Sequence, residues 1–267
     1  MAVRLAACTL AGLVLVSAAA GAALKTKTAT LGYVRATVSW QPLKYARAKN
    51  VRLLIARDDQ TVLDRKLGPD APQAIAVHDL DASGEPQVIL DLYTGGAHCC
   101  FYSRIYRFTG TAYVSLDHMW GDQSYLLRDL NHDGIPEFVS ADDSFAYTFT
   151  AYAASAFPIQ IWDYADTGMS NVTKSYPALI RQDAQAFWQG YLKGRSRKFA
   201  DARGVLAAWM ADQYLLGQQA SGWATMNRLN AQHAFRGLGA GDLWAKNGKY
   251  LAKLRRFLVK MGYAGKG

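Results

Sequence analysis

A change of hydrophobic period near residues 166–174 constrains this chain's fold more than any other feature. Before it, apolar and polar residues alternate in short runs; after it, apolar residues recur every third or fourth position. Alternation marks a half-buried strand, and 3–4 spacing marks a helix with one buried face. The β-type runs are 31–40, 51–57, 61–67, 74–77, 87–93, 101–108, 113–116, 137–140, 146–152 and 158–164. Asp58-Asp59-Gln60 joins the second and third as a hairpin turn. Helices are predicted over 177–193 between Pro177 and Gly194, over 201–216 before Gly217, and over 221–233. A last, amphipathic helix takes Asp242 as its N-cap and stops at Gly262. Its apolar positions are Leu243, Tyr250, Leu251, Leu254, Phe257, Leu258 and Met261. The expected class is α+β. A β-rich N-terminal region of short antiparallel strands, blade-like or a sandwich, covers 23–168, and a C-terminal helical region covers 169–267.

Charge divides at the same place. Residues 23–171 carry 13 Lys and Arg against 17 Asp and Glu, whereas residues 172–267 carry 16 against 4. The polar face of the last helix holds Lys246, Lys249, Lys253, Arg255, Arg256 and Lys260. A cationic surface of this kind suits an anionic partner, whether envelope polymer, lipid surface or acidic protein, without specifying which. Nucleic acid satisfies the same charge, but the compartment argues against it. The 267 residues are 51% hydrophobic and 19% charged, which excludes a disordered chain and a small disulfide-stapled scaffold.

The compartment is read from the first residues. Arg4 precedes the apolar stretch 10–16 and the small-residue run 17–23, in which Ala20-Gly21-Ala22 fits a signal-peptidase site. The apolar stretch is shorter than the ~20 residues a membrane span needs. Residues 1–22 are therefore expected to be a signal peptide, and the mature chain to be periplasmic or extracellular with no transmembrane span. Cleavage removes Cys8 and leaves Cys99 and Cys100, which are adjacent. The choices are a vicinal disulfide, a free dithiol, a soft-metal site with His98, or an intermolecular bridge. The vicinal disulfide is favoured because exported thiols tend to oxidise.

The chemistry lies in two matching loops. Asp79-Leu80-Asp81-Ala82-Ser83-Gly84-Glu85-Pro86-Gln87 and Asp129-Leu130-Asn131-His132-Asp133-Gly134-Ile135-Pro136-Glu137 share one frame, 50 residues apart. Positions 1, 3 and 5 aim oxygen atoms into one concavity, glycine at position 6 permits a sharp turn, and position 7 offers its carbonyl. That arrangement suits Ca²⁺, a hard cation that takes six to eight oxygens. The alternative is a pair of Asx-turns, since the same residue types form ordinary turns. An EF-hand would need its acid at position 12 between helices; here the acid is at position 9 and leads into a β-rich run.

These loops resemble those of FG-GAP and VCBS-type repeat proteins, exported bacterial proteins with integrin-like calcium loops. The resemblance is clearest over 79–93 and 129–143. It implies Ca²⁺ held by Asp129, Asn131, Asp133 and Glu137, with the Ile135 carbonyl completing the loop. In the first loop the matching positions are Asp79, Asp81, Ser83, Glu85 and Gln87. Ser83 and Gln87 replace carboxylates there, so that loop is expected to bind weakly or stay empty. Two repeats fall short of the four to eight blades that close a propeller, which favours a small blade-like or sandwich assembly.

Other sites are thinner. Asp142-Asp143 follows the strand after the second loop, and His78, His118, His132 and His233 show no metal-ligand spacing. Neither a nucleophile elbow, a Walker loop nor a dinucleotide fingerprint is present. The sequence thus points to an exported calcium-binding interaction module in which calcium is mainly structural. The alternative is a secreted hydrolase with Asp142, Asp143 and His98 in a cleft between the two parts.

Overall fold

In the computed structural model, residues 23–97, 99–165, 168–195, 201–237 and 241–264 are described. The expected signal peptide, 1–22, lies outside them. Among the described residues, three antiparallel four-stranded sheets precede four helices. The first sheet is a meander of β1 (Lys25–Leu31), β2 (Val34–Pro42), β3 (Ala48–Arg57) and β4 (Gln60–Lys66). The second repeats that topology with β5 (Ala71–His78), β6 (Gln87–Gly96), β7 (Cys99–Phe108) and β8 (Tyr113–Gly121). The third is again a meander, of β9 (Leu126–Arg128), β10 (Glu137–Ala141), β11 (Ile159–Ala165) and β12 (Gly168–Asn171).

The second sheet is the middle layer. Val88, Leu90 and Leu92 on one face of β6 pack with Val34, Val38 and Leu53 of the first sheet. On the opposite face, Ile89, Ile105 and Trp120 pack with Phe138 and Tyr164 of the third. Burial on both faces explains why β6 opens with a continuous apolar run instead of alternating.

The helices are α1 (Pro177–Gly194), α2 (Ala202–Leu215), α3 (Gln219–Ala231) and α4 (Asn247–Lys260). They enclose a separate core in which Leu206, Met210 and Met226 meet Tyr250 and Leu254. None is long and apolar enough to cross a membrane. The α+β arrangement agrees with the sequence reading.

Three local expectations are corrected. The run 31–40 contains a turn at Gly32, whose φ is +56°, and a whole strand precedes it. That strand, β1, reads Lys-Thr-Lys-Thr and buries almost nothing, so no apolar pattern announces it. The run 146–152 is not a strand. Short 3₁₀ turns at Asp143–Phe145 and Tyr152–Ala154 flank it, while Phe145 and Phe149 insert into the helical core against Phe257. Their four-residue spacing fits that core, and Tyr147 between them takes φ +54° and stays exposed. Finally, Asp242 does not cap α4. Its carboxylate accepts from Arg203 Nη2 at 2.7 Å and from Trp244 N at 3.0 Å, and Leu243 is 96% exposed. A buried arginine captures the side chain that sequence pattern assigns to a cap.

Candidate functional site

Each of the two matching loops closes a hairpin. The first joins β5 to β6, where His78 pairs with Gln87; the second joins β9 to β10, where Arg128 pairs with Glu137. Their internal bonds correspond position by position. Gly84 N donates to Asp79 Oδ2 at 2.9 Å, and Gly134 N to Asp129 Oδ2 at 3.0 Å. Ser83 N donates to Asp81 Oδ1 at 3.1 Å, and Asp133 N to Asn131 Oδ1 at 3.0 Å. Both loops are left-handed at position 4 (Ala82 +53°, His132 +64°) and at position 6 (Gly84 +74°, Gly134 +89°). Glycine at position 6 removes the Cβ penalty of that conformation. The repeated frame is therefore a repeated backbone structure.

The loops diverge at position 9. Gln87 Oε1 accepts from Leu80 N at 2.6 Å, while its amide nitrogen donates to Asp81 Oδ2 at 3.1 Å and to the Glu85 carbonyl at 2.8 Å. Glutamine thus supplies a donor inside the concavity to the atoms at positions 3 and 7. Glu137 keeps the first of these contacts, accepting from Leu130 N at 2.7 Å, but has no donor to give. Its other oxygen accepts from Tyr176 Oη at 2.5 Å.

Between the loops lies a hollow of about 440 Å³. The first loop contributes Asp81 and Ser83, the second Asn131, Asp133 and Glu137, and β11 contributes Asp163. Burial, then the charges of Glu137 and Asp133, hold the Asp163 carboxyl above the usual carboxylate range. Asp163 and Tyr176 were not legible in the sequence, because neither belongs to a motif. Only the pairing of β11 with β10 and the start of α1 bring them to the loop.

The donors of the second loop are all oxygen, three of them carboxylates (Asp129, Asp133 and Glu137), which is the chemistry a hard cation takes. Among the described residues no three His, Cys, Asp or Glu side chains already converge as a metal cage. Asn131 and Asp133 are exposed at the hollow, and Asn131 Nδ2 donates to Asp133 Oδ2 at 2.8 Å. The first loop fits a cation less well, since the Gln87 amide already occupies its donors; one Asp79 oxygen, Oδ1, is buried without a partner there.

The remaining candidates are dispersed. Asp142 is buried, accepting from Ser144 N at 3.0 Å and from Tyr263 Oη at 2.8 Å. Asp143 accepts from Gln123 Nε2 at 3.4 Å, and burial raises its carboxyl above the usual range. His118 sits edge-on to Trp120 and Trp162, and burial pushes it down to about 4. Cys100 is disulfide-bonded. His98 and the Cys99 side chain lie outside the described residues.

The helical part has a feature that composition alone does not reveal. Its four carboxylates are all turned into the structure. Asp201 and Asp242 clamp the buried Arg203, each with its side chain 3% exposed. Asp212 is wholly buried, and Asp183 accepts from Ile159 N at 2.8 Å. Lys249, Arg255, Arg256 and Lys260 of α4 remain exposed.

Residues 180–262 match the family model of the sll0997 C-terminal domain. This sll0997-like segment runs from within α1 to just past α4. Over 214 residues the chain is 30% identical to the "Probable thylakoid lumen protein sll0997" of Synechocystis sp., covering 73% of this chain and 63% of that relative. Over 146 residues it is 29% identical to the "Uncharacterized protein y4bJ" of Sinorhizobium fredii, covering 54% of this chain and 23% of that relative. The chain thus spans less than two thirds of the length of either curated relative. No solved structure matches it. The sll0997 match and its relatives overturn the FG-GAP and VCBS resemblance. The physical reason is that the resemblance rested on a nine-residue hairpin device, which any antiparallel sheet can carry.

Proposed function

We propose that this chain is an exported, two-part binding module whose helical surface, over 169–267, meets an anionic partner. The observation that carries the reading is the inward turn of Asp183, Asp201, Asp212 and Asp242, which leaves the exposed charge of the helices cationic. A surface without interspersed carboxylates keeps its field instead of cancelling it locally. Export is supported by the N-terminal leader pattern and by the lumenal name of the Synechocystis relative.

The β-rich part, over 23–168, is the scaffold, and Ca²⁺ on the second loop is its structural cofactor. Asp129, Asn131, Asp133 and Glu137, with the Ile135 carbonyl, are the ligands. A cation there would relieve the repulsion that Asp133 and Glu137 impose on Asp163. Affinity of ~10⁻⁴–10⁻³ M, as in extracellular modules, fits a structural role. Cys99 and Cys100 form one vicinal disulfide in this reading.

Two measurements test it. Retention of the processed chain on immobilised polyglutamate should fall steeply with salt and be weakened by Arg255→Glu with Arg256→Glu. Salt-independent retention, or none, would remove the anionic partner. For calcium, the chelator-stripped protein should unfold at a higher temperature with millimolar Ca²⁺ than with Mg²⁺, because a ligand of the folded state raises the midpoint. Equal midpoints would remove the metal.

A further inference from the structure

The end of the first sheet remote from both loops carries a second cationic surface of different construction. Register places Lys25 of β1 opposite Trp40 of β2, and Pro42 opposite Ala48 of β3. The turn between β2 and β3 closes with Leu43 N donating to Arg47 O at 2.8 Å. A groove of about 540 Å³ lies here, lined by Trp40, Pro42 and Pro72 and by the cations Lys25, Lys27 and Arg47. Lys44 and Lys49 are exposed beside it. The carboxylate across the bridge from Arg47, Asp70, accepts from Tyr102 Oη at 2.8 Å and is partly buried.

Large apolar side chains stand outward at the same end. Tyr45 is 87% exposed, Leu24 61% and Leu43 47%. Tyr45 and Ala46 are consecutive left-handed residues, at φ +58° and +52°. Non-glycine residues avoid that region, so the turn is strained, and strain of this kind clusters at functional segments. The turn rests on Gly95, where a Cβ would lie 2.7 Å from the Tyr45 carbonyl. The fold therefore holds a tyrosine and a leucine out into solvent at the tip of a basic end.

We propose that this end docks on an anionic phospholipid bilayer. Lipid phosphates pair with Lys25, Lys27 and Arg47, while Leu43 and Tyr45 enter the headgroup layer. Tyrosine favours that layer because it is amphipathic, and each nearby lysine or arginine adds attraction to the surface charge. A bilayer fits better than an acidic peptide because Tyr45 and Leu24 project beside the groove instead of lining it. This surface is separate from the helical face invoked above, and its partner is assigned independently.

The test is co-sedimentation of the processed chain with vesicles of phosphatidylcholine and phosphatidylglycerol at 3:1, against pure phosphatidylcholine. Binding to the anionic vesicles alone is expected, falling with salt. Lys25→Gln or Arg47→Gln should each lower partitioning about fivefold. Leu43→Ser with Tyr45→Asn should lower it further without lowering the unfolding midpoint, since both side chains are exposed and asparagine tolerates the left-handed turn. Arg255→Glu with Arg256→Glu should leave vesicle binding intact while reducing retention on polyglutamate. Equal binding to both vesicle types would overturn the proposal, as would no binding, or binding indifferent to the Leu43/Tyr45 pair. Loss of vesicle binding only in the Arg255/Arg256 variant would also overturn it and place the lipid on the helices. Competition by soluble polyglutamate that the Leu43/Tyr45 pair does not affect would overturn it in favour of an acidic polymer.

Discussion

Tyr263 Oη donates to Asp142 Oδ2 at 2.8 Å, joining the end of the helical part to the end of β10 across 121 positions of chain. Both residues are buried, and Asp142 also accepts from Ser144 N at the 3₁₀ turn that leads Phe145 into the helical core. One carboxylate thus fixes the turn and ties the last helix to the third sheet. Tyr263→Phe leaves that buried oxygen short of a donor. The expected loss is about 1–3 kcal/mol of stability, read from urea unfolding. A variant as stable as the parent would show the bond to be incidental.

Position 87 offers a sharper test of the paired loops. Gln87→Glu removes the amide that bonds Asp81 and the Glu85 carbonyl. Without metal the variant should lose about 1–3 kcal/mol, and Ca²⁺ should recover part of that loss. Glu137→Gln should do the reverse and abolish the calcium-dependent rise in midpoint. A calcium response unchanged in both variants would dissociate the loops from the metal.

Asp212 makes stability depend on pH. Burial, then the charge of Asp183, pushes its carboxyl up from 3.8 to about 9. The folded state therefore binds this proton more tightly than the unfolded chain. Its contribution to stability is full below the unfolded pKa near 3.8 and is lost as pH climbs towards 9. Asp183, pushed up to about 6 by burial, works in the same direction over a narrower window. Asp212→Asn should match the parent near pH 4 and exceed it by roughly a few kcal/mol near pH 8, in denaturant titrations at each pH. A difference that does not vary with pH would contradict the assignment.

Arg203 is 1% exposed and bonds Asp201 and Asp242, while its own carbonyl accepts from Tyr250 Oη at 2.8 Å. Arg203→Ala strands two buried carboxylates, and removing one member of such a group costs about 3–5 kcal/mol. The check is unfolding of the helical part, followed by tryptophan emission. Arg203→Met with Asp201→Asn and Asp242→Asn should be less damaging than Arg203→Ala alone, because no uncompensated charge remains.

For Cys99 and Cys100, intact mass before and after reduction should differ by about two hydrogens per monomer, as for one disulfide. Labelling of both thiols without prior reduction would refute the pairing.

Local chemistry was legible wherever a short pattern carried it. The Asp58-Asp59 turn between β3 and β4, with both residues left-handed, and the end of α2 ahead of Gly217 stand where the sequence places them. Where a side chain had two available partners, pattern gave the wrong one. Asp242 looks like a cap but meets Arg203, which is 39 positions away, and Phe149 falls in a strand-like run but meets Phe257. Asp163 belongs to no motif, yet it faces the second loop.

The sequence by itself determined the α+β order, the four helices and the two hairpin loops, because hydrophobic period and turn chemistry act over a few residues. Tertiary structure alone decided that the middle sheet is buried on both faces, that four acids of a cationic region point inward, and that Gln87 gives one loop an amide donor at position 9 where Glu137 gives the other only oxygens. Those outcomes depend on which distant groups meet in a space with little water, where an unpaired charge is costly enough to override local preference.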